Sequence, residues 1–198
     1  MGYADILVSP AVIWHAPVGE ALPDETSVAY GAAWGGNWEK FSLTKTPVTL
    51  NRNVSTFEVM TEQTTGPLRR VITEEKMTIE TQLAEFTGDA LALVMGGTNT
   101  ATAAGAGQAA YDKVVAGGEW TLPEGAWGIE GKYVDSDGDE FPVRVFFYRA
   151  TVKLGGELSF QKGDYVGVPI QIEALTDTSK AIGAQMIEVH RVTAAATS

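Results

Sequence analysis

The chain reads as a mainly β protein, with two packed antiparallel sheets forming a β-sandwich or barrel and one flanking α-helix. Three observations predict this. Apolar residues recur at every second position over several separate runs, the pattern of strands with one buried face. A single short run, near residues 87–97, carries helix caps at both ends. Turn residues, Gly66-Pro67 and Asp137-Gly138, fall between the alternating runs, as hairpins require. At 198 residues, the chain is expected to form one domain spanning 1–198, large enough to bury a core without disulfides or metal. The runs amount to seven or eight strands and one helix.

Residues 1–40 are rich in Ala, Gly and Pro, carry Trp14, Trp34 and Trp38, and show no sustained period. They read as an extended N-terminal arm whose tryptophans either anchor it to another subunit or fold onto the chain's own core. From Phe41 the chain alternates with period two. Val48, Leu50 and Val54 fall on even positions, then Phe57 and Val59 on odd ones, and this switch predicts a bulge or bend near Ser55. The polar segment TEQTTGPLRR (61–70) is expected as a long loop between two antiparallel strands.

The second of these strands, Val71 to Leu83, places Glu74, Lys76, Thr78, Glu80 and Gln82 on even positions and Val71, Met77, Ile79 and Leu83 on odd ones. It has one wet face and one core face. Thr87 can cap the helix that follows, Asp89 favours its positive end, Leu91, Val94 and Met95 supply an apolar stripe, and Gly96-Gly97 stop it. From 98 to 118 the composition collapses to Ala, Gly and Thr, which is expected as a long flexible loop or insertion. The last strands run over Ile129–Val134, Phe141–Leu154, Tyr165–Ala174 and Gln185–Val192, the first two joined through the acidic turn Asp135-Ser136-Asp137-Gly138-Asp139-Glu140.

The chemistry that this chain excludes is as informative as its pattern. It has no cysteine and two histidines, His15 and His190, so thiolate metal sites, disulfides and a three-histidine metal site are all ruled out. The acidic turn has glycine fourth where a calcium-binding EF-hand loop needs it sixth, and reads as a hairpin tip. Gly105 and Gly107 make a lone G-x-G with no strand before it, and no Walker, Rossmann or G-x-S-x-G motif is present. No enzyme activity and no cofactor are expected. A formal charge of −11 argues against gripping nucleic acid, whose affinity comes mostly from basic groups. No basic leader precedes an apolar run and no run reaches the length of a membrane span, so neither secretion nor membrane insertion is expected.

The order of elements resembles the tail tube, or major tail, proteins of long-tailed bacteriophages. The likeness covers about residues 41–95 and 145–192. It rests on two long strands around a polar loop (EVMTEQTTGPLRRVITEEKMTIETQL), the short helix TGDALALVMGG, and YRATVKLGGELSFQKGDYVGVPIQIEALTD, within which Phe160-Gln161-Lys162-Gly163-Asp164 and Ala174-Leu175-Thr176-Asp177 are the most family-like stretches. The resemblance implies a virion part assembled in the host cytoplasm: hexameric rings stacked into a hollow tube, through which DNA passes without specific binding. Its partners would be itself and the tape-measure, tail-tip and tail-terminator proteins, with no membrane. Within that frame Glu74, Glu75, Lys76 and Glu80 are candidates for the lumen lining. Thr61, Glu62, Gln63, Gly66, Arg69 and Arg70 of the loop, with Trp34 and Trp38 of the arm, are candidates for contact with a neighbouring subunit. The alternative is a carbohydrate-binding β-sandwich using exposed Trp120, Trp127 and Tyr133.

Overall fold

The computed structural model describes residues 6–7, 10–25, 29–118, 122–160, 162–163 and 165–194. Among them are eleven strands: β1 (Ile6–Leu7), β2 (Val12–Ala16), β3 (Glu39–Ser42), β4 (Thr49–Val59), β5 (Arg69–Leu83), β6 (Gly97–Thr102), β7 (Tyr111–Ala116), β8 (Glu124–Val134), β9 (Glu140–Leu154), β10 (Val168–Ala174) and β11 (Ile187–Arg191). One helix, α1 (Gly88–Met95), lies between β5 and β6. Nine strands form one antiparallel sheet in the order β3-β2-β8-β9-β10-β5-β4, with β1 added on β8 and β11 on β9, while β6 and β7 make a separate hairpin.

The sheet closes on itself through one run of chain. Residues 39–42 pair with β2. The next residues bond to β5 instead: Ala84 N–H donates to the Leu43 carbonyl and Lys45 N–H to the Gln82 carbonyl, each at 2.7 Å, and β4 then continues the ladder along β5. Segment 39–59 therefore joins the two ends of the path and leaves a barrel-like sandwich, in which full closure hides most strand edges.

The interior is filled by one face of each strand, including Met77, Ile79 and Leu83 of β5, Trp127 of β8, Phe147 and Val152 of β9, and Ile170 and Ile172 of β10; β9 changes parity between Phe147 and Ala150, where its pairing with β8 shifts register. A second cluster, Trp14, Ala16, Trp34, Trp38, Ala126 and Phe146, covers the opposite face of β2, β8 and β9. Phe146 and Phe147 are sequence neighbours with 0% exposure each, so they point to opposite faces and both faces are buried. The expected arm is thus a strand followed by a segment folded against its own sheet. Trp34 stacks on Trp14 with ring centroids 4.8 Å apart, and a Cβ on Gly128 would stand 2.3 Å from the Trp34 ring. Only a glycine lets that indole lie on β8.

The helix matches its caps. Thr87 Oγ1 accepts from the Ala90 N–H at 3.2 Å, and Gly96 takes a left-handed conformation with φ of 66°. Its buried side consists of Gly88, Ala90, Ala92 and Val94, whereas Met95 is exposed, so the expected stripe is rotated. The cause is the stretch expected as a flexible loop. Residues 97–102 and 111–116 form the β6–β7 hairpin, which lies so close to α1 that a Cβ on Gly88 would be 2.8 Å from the Asp112 Cβ. Small residues there permit a close approach between helix and hairpin.

Candidate assembly surfaces

β5 is the element from which both sequence-derived surfaces are built. Over residues 76–83 Met77, Ile79, Thr81 and Leu83 are buried on one face, while Lys76, Glu80 and Gln82 are half-buried on the other; Thr78, expected on the wet face, is buried at 4% exposure between Asn51 and Glu173. That outer face continues sideways. Glu80 lies between Thr49 of β4 and Gln171 of β10, and Glu173 lies between Thr78 of β5 and Thr151 of β9. The Gln171 Nε2 donates to Glu80 Oε1 at 2.6 Å, and Glu173 accepts ion pairs from Lys76 at 2.9 Å and Lys153 at 3.6 Å. The result is a polar wall across β4, β5, β10 and β9 whose charges largely cancel: Glu74, Glu80 and Glu173 stand against Lys76 and Lys153.

Of the four lumen candidates, Glu74, Lys76 and Glu80 share this face. Glu75 does not. It sits on the core-side parity of β5, opposite Val54, and accepts from Arg52 Nε at 2.6 Å. Successive residues of a strand point to opposite faces, so grouping Glu75 with its neighbours fails on alternation alone.

From residue 77 toward its N-terminal end, β5 has no strand partner but β4 among the described residues, because β10 pairs only with 78–83. The two strands therefore leave the barrel as a hairpin. Every residue of β4 is exposed, as are Arg69–Glu74. The pairing slips between Ser55 and Thr56, where Thr73 is the extra residue and its hydroxyl donates to the Ser55 carbonyl at 3.2 Å. A bulge is expected near Ser55 and one is found there, but its extra residue belongs to β5; β4 keeps its alternation, so Phe57 and Val59 lie on the face opposite Leu50 and Val54. Phe57, Val59, Met60, Leu68, Val71 and Ile72 are all exposed toward the tip, Phe57 by 62% and Met60 by 61%.

The tip is an ordered turn. Thr61 and Thr64 hydroxyls lie 3.1 Å apart, Thr64 Oγ1 donates to the Gly66 carbonyl at 3.1 Å, and Leu68 N–H closes the end of the ladder on the Val59 carbonyl at 2.8 Å. Glu62 and Gln63 are exposed within it. The two arginines differ. Arg70 Nε is held by Glu58 Oε1 at 2.7 Å, directly across the hairpin, whereas Arg69 faces Val59 and has no carboxylate partner among the described residues. Trp34 and Trp38, expected at a subunit contact, are 4% and 5% exposed in the chain's own second cluster. Large flat indoles are as useful for sealing a sheet as for joining subunits, and here Phe146 and Gly128 give them a site at home.

Sequence reasoning missed the device that fixes this covering segment. Arg144 and Glu130, on adjacent strands, are fully buried, and Arg144 donates to Glu130 Oε1 through Nε at 3.0 Å and Nη2 at 2.8 Å. Glu130 also accepts from the Gly31 N–H at 3.1 Å, and Arg144 pairs with Glu25. Glu25 in turn meets His190 Nδ1 at 2.8 Å, while His190 Nε2 meets Glu188 at 2.7 Å and Tyr148 donates to Glu188. Burial pulls the His190 imidazole down, but its bonds to Glu188 and Glu25 outweigh that and hold it above its ordinary value. The hydroxyl of Tyr148 and then His190 hold Glu188 below its ordinary range, and burial with the Glu188 contact pushes Tyr148 up to about 12. A charge on alternate, apolar-looking strands was the available signal: Arg144 sits at an inward parity of FPVRVFF, where an unpaired charge would be prohibitive.

The alternative glycan platform does not form. Trp127 and Tyr133 are 1% and 3% exposed, which leaves no ring face for a sugar, and Trp120 lies outside the described residues, as do Gln161 and Asp164 of the family-like stretch. Asp135 serves its turn, its Oδ1 accepting from the N–H groups of Asp137 and Asp139 at 2.9 Å each. No helix among the described residues is long and apolar enough to cross a membrane.

The sequence model of one protein family, described as phage tail tube protein, matches residues 5–197. No curated protein matches the chain by sequence.

Proposed function

The chain belongs to the phage tail tube protein family, and from that premise we propose that it polymerises as stacked hexameric rings into the hollow conduit through which phage DNA leaves the virion. It is a structural component of the phage tail. The observation that carries the finer reading is the projecting hairpin: two long strands with open edges and large apolar side chains in water, which a monomer has no use for. Neighbouring copies would pair along these edges and cover those side chains. The loop bearing Thr61, Glu62, Gln63 and Gly66 would meet the adjacent subunit or ring, with Arg69 supplying charge at that contact.

The polar wall of β4, β5, β10 and β9 is the face best suited to the channel. Glu74, Lys76 and Glu80, with the neutral Thr49, Asn51 and Asn53 beside them, give DNA neither a run of cations to hold it nor an apolar surface to dewet. The slight acidic surplus repels phosphate at a range set by the Debye length, about 8 Å at physiological salt. Assembly in the host cytoplasm, and contacts with tape-measure, tail-tip and tail-terminator proteins, follow from the same role. Electron microscopy of the purified protein is the direct test: hollow tubes or rings of sixfold symmetry are expected, and a chain that stays monomeric at high concentration and high salt would refute the reading.

A further inference from the structure

We infer that the exposed apolar patch at the far end of β5, formed by Leu43, Phe86, Phe160 and Tyr165, is the seat for the hairpin tip of a second copy of this chain. The inference rests on the tube reading above and adds to it the surface that the tip meets. These four side chains are 67%, 51%, 73% and 55% exposed. They come from three separate segments that converge just past Leu83. Leu43 is bonded through its carbonyl to Ala84, the Phe160 ring stands edge-on to Phe86 at 6.4 Å, and the Tyr165 carbonyl accepts from Lys45 Nζ at 2.7 Å. The patch is thus held in place by the fold: Lys45 Nζ stands over the Tyr165 ring at 4.3 Å, while Leu43, Phe86 and Phe160 stay exposed. Exposed apolar side chains gathered around one strand end in this way mark an interface.

The occupant follows from position and charge. The hairpin tip carries the matching apolar group, with Phe57 and Met60 foremost, but it lies at the other end of the same 15-residue strand, about 50 Å away at ~3.4 Å per residue. No chain can bring its own tip to its own patch, whereas a copy displaced along the β5 direction can. Charge agrees: Arg69 at the tip lacks a carboxylate, and Glu85 beside Phe86, which accepts from Ser42 Oγ at 3.3 Å, lacks a basic partner among the described residues. Because the two surfaces differ, the contact is heterologous. Repeated with a displacement along the strand it does not close into a ring, so such a stack ends in free tip surfaces at one end and free patch surfaces at the other.

Two variants test this, Phe57→Glu at the tip and Phe160→Glu at the patch, both at exposed positions where circular dichroism should report an unchanged fold. Each is prepared alone and sized by analytical ultracentrifugation under conditions in which the unmodified chain polymerises. Each should stop at the unit that precedes this contact, be it a monomer or a ring. Phe160→Glu retains a sound tip and Phe57→Glu a sound patch, so mixing the two preassembled units should give particles of twice the mass and no larger. If either variant polymerises like the unmodified chain, or the mixture keeps the mass of its components, the inference is wrong and the patch serves another virion protein or none. Failure of the unmodified chain to assemble would instead refute the tube reading itself.

Discussion

At Gly128 a single missing carbon sets the position of a whole covering segment. A methyl group at that site would sit 2.3 Å from the Trp34 ring, and the ring cannot retreat, being packed on Trp14, Trp38 and Phe146. Gly128→Ala should therefore destabilise the fold by about 1–3 kcal/mol, the usual cost of overpacking, and lower the thermal midpoint. The second residue-scale expectation concerns pH. Glu188 titrates below the ordinary glutamate value of 4.5, so its contribution is present above that value and is lost as pH falls through the lowered one. His190 titrates above 6.5, so its contribution is fully present below 6.5 and is lost as pH rises through the raised value. Thermal midpoints measured across pH should hold between these limits and decline on either side, and His190→Gln should remove most of the alkaline decline. Of this network only Arg144, a charge at an inward position of an apolar strand, left a mark on the sequence; its partners did not, because Glu25 lies 119 residues from Arg144 and 165 from His190.

At the scale of elements, the hairpin of β4 and β5 carries a prediction that distinguishes its two arginines. Arg70 is already neutralised by Glu58 within the hairpin, while Arg69 is not. Arg69→Glu should abolish or sharply raise the concentration needed for polymerisation and leave the monomer's unfolding curve unchanged. Arg70→Glu should weaken assembly less and loosen the hairpin itself, since like charges then face each other across the ladder. Light scattering against protein concentration separates the two. This hairpin, the helix caps and the closing strands could be read from the sequence because each has a local cause: period two, a threonine before a helix, a glycine after it. The position of the bulge near Ser55 coincides with the parity switch in β4, but its extra residue, Thr73, lies on β5 and leaves that switch in place, since pairing is a property of two strands. The β6–β7 hairpin was hidden for a different reason. Its residues bury little on either face, so no alternation marks them, and their small side chains, which read as flexibility, serve close packing on α1.

For the whole molecule, charge and topology matter more than any site. A chain of net −11 repels its own copies, and the polar wall accounts for little of that excess, so most of it is distributed elsewhere on the subunit. Screening should relieve the repulsion. The critical concentration for assembly is accordingly expected to fall as NaCl rises from about 0.05 to 0.5 M, followed by sedimentation of polymer; a critical concentration independent of salt would mean that apolar contacts alone govern growth. The mainly β architecture follows from the count of alternating runs, yet the closing run 39–59, which serves two strands in turn, has no mark in the sequence. Continuity of β5 from tip to core has a mechanical consequence. Hydrogen bonds in an antiparallel ladder lie perpendicular to the strands, so a pull along the hairpin loads the six paired residues shared with β10 together, in shear, and none can yield before the others. A tail under tension would thus draw its stiffness from the backbone of one uninterrupted strand per subunit, while a sideways force, which peels such bonds one at a time, would find the same joint compliant.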